Sequence, residues 1–184
     1  VGLIGHFGTG KDTAAQYLSS KYGFTVYSIY EPIRVLAQDF FGRVDRKTLN
    51  LLGKRVSHAF GNDIFIRWCA DKIVNGNTVV KDARYINEIS WLSKVSDAVI
   101  CLEADPELVL KRIKRRGREA DPTSLDELKT LWSEEGDLNE VRSDGIVKID
   151  NSGGLEELYS KLERLVEELR AKKESRVEFQ KDIL

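Results

Sequence analysis

Short apolar runs alternate along this chain with longer amphipathic stretches, and the alternation predicts an order of strands and helices. Val1, Leu3 and Ile4 read as a buried strand, and residues 13–21, free of Gly and Pro, as the first helix. Residues 24–29 read as a second strand. Pro32 then stands where a helix can begin, with Ile33, Val35, Leu36 and Phe40 supplying its apolar face. Two further helices are expected over residues 45–60 and 62–74, separated by Gly61. A strand over 78–81 ends in Asp82-Ala83-Arg84 and is followed by a short helix over 86–92. A strand over 98–102, helices over 106–116 and 125–134, a last strand over 145–149 and a long helix over 155–169 complete the series. Five short apolar strands separated by helices predict an α/β fold, a five-stranded parallel sheet covered by helices on both faces.

The last helix carries Leu155, Leu158, Leu162, Leu165 and Leu169 at alternating three- and four-residue spacing. Two heptads are few for a dimer seam, so a core-facing helix is the preferred reading. The charged segment from Lys172 is expected to be solvated or frayed. The resulting plan is a single domain over residues 1–171 and a charged tail over 172–184.

Composition narrows the possible classes. At 184 residues and 41% hydrophobic content, the chain can bury one full core with small inserted lobes. A net charge of −1 argues against a general nucleic-acid binder. No run approaches the length of a membrane-spanning helix. Cys69 and Cys101 lie in apolar segments and form no metal-binding pattern, which suits reduced, buried thiols in a cytoplasmic protein. Methionine is absent and a strand begins at residue 1, so a few leading residues are expected to precede Val1.

The most specific chemistry follows the first strand directly, in Gly5-His6-Phe7-Gly8-Thr9-Gly10-Lys11-Asp12-Thr13. Glycines in such a turn let backbone N–H groups converge on a phosphate without Cβ interference, and the next helix aims its positive end at the same anion. Gly8, Gly10 and Lys11 are therefore expected to bind phosphate. The hydroxyl that usually follows the lysine and ligates Mg²⁺ is displaced by one place: Asp12 follows Lys11, and Thr13 comes next. Thr13 is expected to touch phosphate, and Asp12 to sit near the metal through water.

A second set of charges lies further along. In an open parallel sheet, ligands bind beyond the carboxyl ends of strands, so Asp82 and Arg84 can face the loop if the third strand neighbours the first. Asp82 would then organise Mg²⁺ water and Arg84 would grip an acceptor phosphate; a solvent-exposed salt bridge is the plainer alternative. Lys81 interrupts the apolar strand just before Asp82. Lys111, Arg112, Lys114, Arg115, Arg116 and Arg118 place six basic residues among eight positions, with Arg112 and Arg116 on one helical face. Arg34 is a further candidate for an acceptor phosphate. His6 and His58 are read as a loop position and a helix residue, neither catalytic.

With these residues in place, the chain resembles P-loop nucleoside monophosphate kinases over nearly its whole length. Residues 106–116 are similar to the adenylate kinase helix that leads into the lid. That match implies Arg112 over adenine, Arg116 near the transferring phosphate, and a short lid over 116–124 that brings Arg118 to the acceptor. The loop, Pro32-Ile33-Arg34, Asp82-Ala83-Arg84 and Asn151-Ser152-Gly153-Gly154 resemble more closely the phage-type deoxynucleoside monophosphate kinases, and by analogy Asn151 and Gly153 would flank the adenine. The chain departs from adenylate kinases after the lid, where Lys129 stands in place of an arginine and Arg142 is the candidate substitute. The resemblance implies ATP and Mg²⁺ as cofactors and a small-molecule nucleotide acceptor bound by the helices of 30–75, in a monomer or homodimer. The expected reaction moves the γ-phosphoryl group to a nucleoside or deoxynucleoside 5′-monophosphate. Dephospho-CoA or phosphomevalonate as acceptor, or a regulatory module that binds ATP without turnover, are the alternatives.

Overall fold

Each of the five expected strands forms, and all of them pair in parallel. The computed structural model describes residues 1–42, 44–73, 76–117, 121–136, 138 and 145–181, with 46 and 176–181 described by backbone alone. The elements are β1 (Gly2–Ile4), α1 (Lys11–Tyr22), β2 (Thr25–Ser28), α2 (Glu31–Phe41), α3 (Arg46–Phe60), α4 (Ile64–Lys72), β3 (Thr78–Lys81), α5 (Ile86–Val95), β4 (Val99–Glu103), α6 (Pro106–Arg116), α7 (Leu125–Ser133), β5 (Ile146–Asp150) and α8 (Leu155–Lys181).

The sheet order is β2-β3-β1-β4-β5. Leu3 of β1 pairs with Lys81 of β3 on one side and with Ile100 of β4 on the other, so the shortest strand lies at the centre. Alternate side chains of that strand enter different cores. Leu3 joins Leu18 of α1 and Leu158 and Leu162 of α8. Ile4 joins Ile29, Ile33 of α2, Phe65 of α4 and Leu92 of α5. A smaller cluster of Val109, Ile113 and Leu128 packs α6 on α7 beneath Phe7 and Trp132.

Most boundaries differ from the sequence reading by a residue or two, for local reasons. Helix α1 begins at Lys11 because Gly10, at φ 104°, makes the turn itself. Asp45 accepts from the Thr48 N–H at 2.9 Å and so caps α3 instead of opening it. Helix α8 continues past residue 169 to Lys181, so the segment from Lys172, expected to be solvated or frayed, is helical with Lys172 and Lys173 exposed. Of the five leucines, Leu158, Leu162 and Leu165 are buried and Leu169 packs against the core, while Leu155 is 58% exposed.

Candidate functional site

The strand order sets the site, because the chain leaves the carboxyl end of β1 between its two neighbours and must turn sharply into α1. Three glycines make that turn. A Cβ on Gly5 would sit 2.3 Å from the Leu102 carbonyl oxygen, one on Gly8 2.6 Å from Val109 Cγ1, and one on Gly10 2.3 Å from Asn151 Nδ2. No side chain caps the start of α1, so its first-turn N–H groups are presented to the mouth of the loop. Lys11 Nζ donates to the carbonyls of Gly5 at 2.7 Å and His6 at 3.0 Å, folding the ammonium back over the loop. Burial lowers the Lys11 pKa, opposed by the Asp82 and Glu135 carboxylates.

The next residue, Asp12, shares a partner with the end of β3. Lys81 Nζ donates to Asp12 Oδ1 at 2.7 Å and to Asp82 Oδ2 at 2.9 Å. Asp82 also accepts from Ser28 Oγ at 2.7 Å. Burial would push the Asp82 carboxyl up, but Lys81 and Lys11 outweigh it and hold the group below its ordinary range. Thr13 lies on the same wall of the cleft as Asp12. Beyond Asp82 the chain turns into α5, where buried Glu88 accepts the Arg84 and Tyr85 N–H groups at 2.8 and 3.1 Å and the Tyr30 hydroxyl at 2.8 Å. That carboxylate fixes the main chain of Arg84, while the guanidinium passes 5.7 Å from the centre of the Tyr30 ring.

Helix α6 supplies the opposite wall. Arg112 donates to the Asn151 carbonyl at 2.7 Å and the Gly153 carbonyl at 2.6 Å, so it grips the loop between β5 and α8. Asn151, itself buried, turns its Nδ2 onto the Thr9 carbonyl at 2.8 Å, which makes its side chain a brace for the phosphate loop. Arg116 makes a bidentate pair with Asp121 at 2.6 and 2.7 Å and lies 4.7 Å from the centre of the Phe7 ring.

Sequence reasoning missed two residues of α7 and the turn after it. Trp132 stacks on His6 at 4.9 Å between ring centres and donates to the Phe7 carbonyl at 3.0 Å. Glu135, 4% exposed, accepts the Phe7 N–H at 2.7 Å and lies 3.4 Å from His6 Nδ1 and 3.9 Å from the Arg84 guanidinium. Burial would raise its pKa, yet His6, Arg84 and the Phe7 N–H outweigh that and keep it low. Only a helix end followed by Gly136 is visible in the sequence there, and neither a motif nor a period marks the two side chains.

One cleft of about 1800 Å³ joins these parts. Gly8, Gly10, Lys11, Asp12, Thr13, Asp82, Arg84, Arg112, Arg116, Asn151 and Gly153 all line it, as does Arg34, exposed on α2. The histidines differ: His6 is held in the loop, and His58 is exposed on α3 at the cleft edge. Arg118 and Arg142 lie outside the described residues. Among the described residues, no group of three or more His, Cys, Asp or Glu side chains could hold a metal ion, and no helix is long and apolar enough to cross a membrane. Mg²⁺ carried by a nucleotide needs only one or two carboxylates beside the phosphates, and Asp12, Thr13 and Asp82 supply oxygen donors of that kind. The loop fits a phosphate chain, because Gly5, Gly8 and Gly10 all turn at positive φ and no side chain caps the α1 N-terminus.

Known proteins are similar to this chain over most of its length. A UPF0200 protein of Staphylothermus marinus is 26% identical over 162 residues, 85% of each chain. Shikimate kinase of Staphylococcus epidermidis is 25% identical over 162 residues, 85% of this chain and 88% of that enzyme. A "putative deoxynucleotide monophosphate kinase" of Acanthamoeba polyphaga mimivirus is 23% identical over 199 residues, 88% of this chain and 93% of that protein. Among solved structures, TT1252 of Thermus thermophilus aligns over 91% of this chain and 96% of its own with a TM-score of 0.63 at 20% identity. Shikimate kinase of Aquifex aeolicus aligns over 90% and 95% with a TM-score of 0.55 at 18% identity. No protein-family model matches the chain. The fold is that of P-loop kinases, and the chain is similar to the nucleoside monophosphate kinase-like and shikimate kinase proteins among them, whose kinase relatives support a role in phosphotransfer.

Proposed function

We propose that this protein transfers the γ-phosphoryl group of ATP to the phosphate of a nucleoside or deoxynucleoside 5′-monophosphate, giving the diphosphate. The observation that carries the reading is the continuity of the cleft: the glycine loop with Lys11 and a second cationic set, Arg34 and Arg84, face one cavity. A protein that only sensed ATP would need the first set and not the second.

The carboxylates favour an acceptor that is already ionised. A hydroxyl acceptor calls for a general base, yet of the carboxylates on the cleft Asp82 is tied to Lys81 and Ser28 and Glu135 to the Phe7 N–H. The pKa of Glu88 is raised, but this residue is 1% exposed and committed to the Arg84, Tyr85 and Tyr30 groups. A phosphate acceptor attacks with an existing oxyanion.

The work of the chain is then alignment and charge stabilisation, since the transition state spreads negative charge over the transferring oxygens. The α1 N-terminus and Lys11 hold the donor phosphates, Arg84 and Arg34 hold the acceptor phosphate, and Arg116 reaches the transferring group when it leaves Asp121. Bound Mg²⁺ would supply charge neutralisation beside Asp12, Thr13 and Asp82. Adenine would lie against the loop of Asn151 and Gly153 that Arg112 fixes.

The test is ADP formation against a panel of ribo- and deoxynucleoside monophosphates, dephospho-CoA, phosphomevalonate and shikimate. Turnover with one or more nucleoside monophosphates is expected, with tight binding of an analogue joining adenosine to that nucleoside through a phosphate chain. Turnover of shikimate alone would replace the reading with hydroxyl transfer. ATP binding without turnover of any acceptor would replace it with a regulatory module.

A further inference from the structure

Lys81 does not line the cleft but holds two carboxylates that do, Asp12 and Asp82, and the transfer just described does not use it. It closes β3, and its side chain is only 14% exposed. Its ammonium lies within 3 Å of a carboxylate oxygen on each side, Asp12 Oδ1 at 2.7 Å and Asp82 Oδ2 at 2.9 Å. The geometry is enforced. Among the described residues Asp82 is the one non-glycine residue with positive φ, at 72°, and the oxygen that Lys81 holds, Oδ2, also accepts from Ser28 Oγ at 2.7 Å. Lys81 is the last residue of the strand, following the buried pair Val79 and Val80 and standing immediately before the acid.

Asp12 and Asp82 are also the carboxylates read above as partners of nucleotide-borne Mg²⁺. A lysine already fills the position between them. With the ammonium present, a divalent cation meets one net negative charge instead of two and a positive charge at close range, while it must also shed tightly held water. Nucleotide phosphates reverse the balance, because they bring several negative charges and supply most of the metal's ligands themselves.

We propose that Lys81 is a positioning residue that serves as a built-in counter-cation: it keeps the Asp12–Asp82 pair from taking a divalent metal until a nucleotide brings one. The proposal rests on the phosphoryl-transfer reading. It assigns Lys81 an order of assembly, metal with nucleotide and not before it. A lysine that merely ties α1 to β3 would affect melting and leave metal affinity alone.

Mn²⁺, a paramagnetic stand-in for Mg²⁺, is titrated into the full chain and free metal is followed by electron paramagnetic resonance. The wild type is expected to bind Mn²⁺ weakly until ADP is added. Lys81→Met is expected to bind Mn²⁺ without nucleotide roughly tenfold more tightly or better, because the repelling charge has gone. Adding Asp82→Asn to Lys81→Met is expected to abolish the gain. If Lys81→Met proves unfolded by circular dichroism, Lys81→Gln keeps an amide donor for the carboxylates without the charge and carries the same expectation. Affinity in the folded Lys81 variant no greater than wild type, or a gain that survives Asp82→Asn, would overturn the role of Lys81 alone. Wild-type protein that takes up no Mn²⁺ even with ADP would overturn the phosphoryl-transfer reading together with the proposal.

Discussion

The two ends of the cleft are built by different means. At the end proposed for the donor the backbone makes the surface: the glycine loop turns so tightly that side chains are excluded, and Asn151, Trp132 and Glu135 brace it. At the end proposed for the acceptor the wall is built from side chains of α2 and α3, and those helices leave Val35, Phe40, Phe41, Leu51 and Phe60 more than half exposed. A main-chain cradle for phosphate admits little variation. A helical wall can be recut for a new acceptor by changing a few side chains, with the fold and the phosphate chemistry left in place.

The largest effect that would sharpen this contrast is expected at Arg116, proposed to reach the transferring group from α6. Arg116→Ala should lower kcat by about 10³-fold, the lower end of what arginine fingers contribute, with a modest change in acceptor KM. Steady-state kinetics decide it, and an unchanged kcat would reduce Arg116 to a brace for Asp121. Arg84→Ala should act on the other axis, raising acceptor KM roughly 10- to 100-fold through loss of a charged hydrogen bond while the ATP dissociation constant stays put. If ATP binding weakens instead, Arg84 belongs to the donor end and the division of the cleft is misplaced.

Two glycines test the same contrast through stability. Gly10→Ala must place a methyl 2.3 Å from Asn151 Nδ2 at φ 104°, and a loss of about 1–3 kcal/mol is expected in denaturant melts. Gly53, within α3, has open space where a Cβ would go, so Gly53→Ala should stabilise by about 0.5–1 kcal/mol. Equal losses at both positions would mean that the acceptor wall is as tightly specified as the loop.

The smallest change concerns Glu88, whose carboxyl is pushed by burial above its ordinary value near 4.5. Over the interval from that value to its raised one, the folded state binds more protons than the unfolded state, so stability from this group falls as pH rises. Urea melts of wild type and Glu88→Gln should therefore diverge in favour of the glutamine protein as pH is raised from 4.5 through that interval. A gap that widens in favour of wild type would show that the Arg84 and Tyr85 N–H groups hold the carboxylate ionised.

What the sequence made legible follows the same division. The strands were readable because parallel strands buried on both faces appear as short apolar runs. The phosphate loop was readable because its glycines answer to backbone geometry, which depends on neighbours in the chain. Glu135 and Trp132 were not, since they reach the loop across 128 and 125 residues of chain and occupy ordinary positions at a helix end. The resemblance implies Arg112 over adenine, whereas its hold on the Asn151 and Gly153 carbonyls depends on the packing of α6 against the last loop, which no local pattern encodes. The continuation of α8 beyond residue 169 was not legible because the charged segment that follows, from Lys172 to Ser175, carries no apolar stripe to announce it.

Strand β1 has only three residues, and both of its neighbours come from far along the chain: Gly2 pairs with Val80 on one side and Val99 on the other. No local hairpin can hold it, so the ring of chain that closes on β1 must be drawn in before the glycine turn has anything to stand on. The phosphate cradle is thus expected to share the fate of the whole sheet, opening to hydrogen exchange only when the molecule unfolds globally and not by local fraying. A nucleotide held there acts as a keystone, raising the melting temperature of the distant helical wall as much as that of the loop it touches.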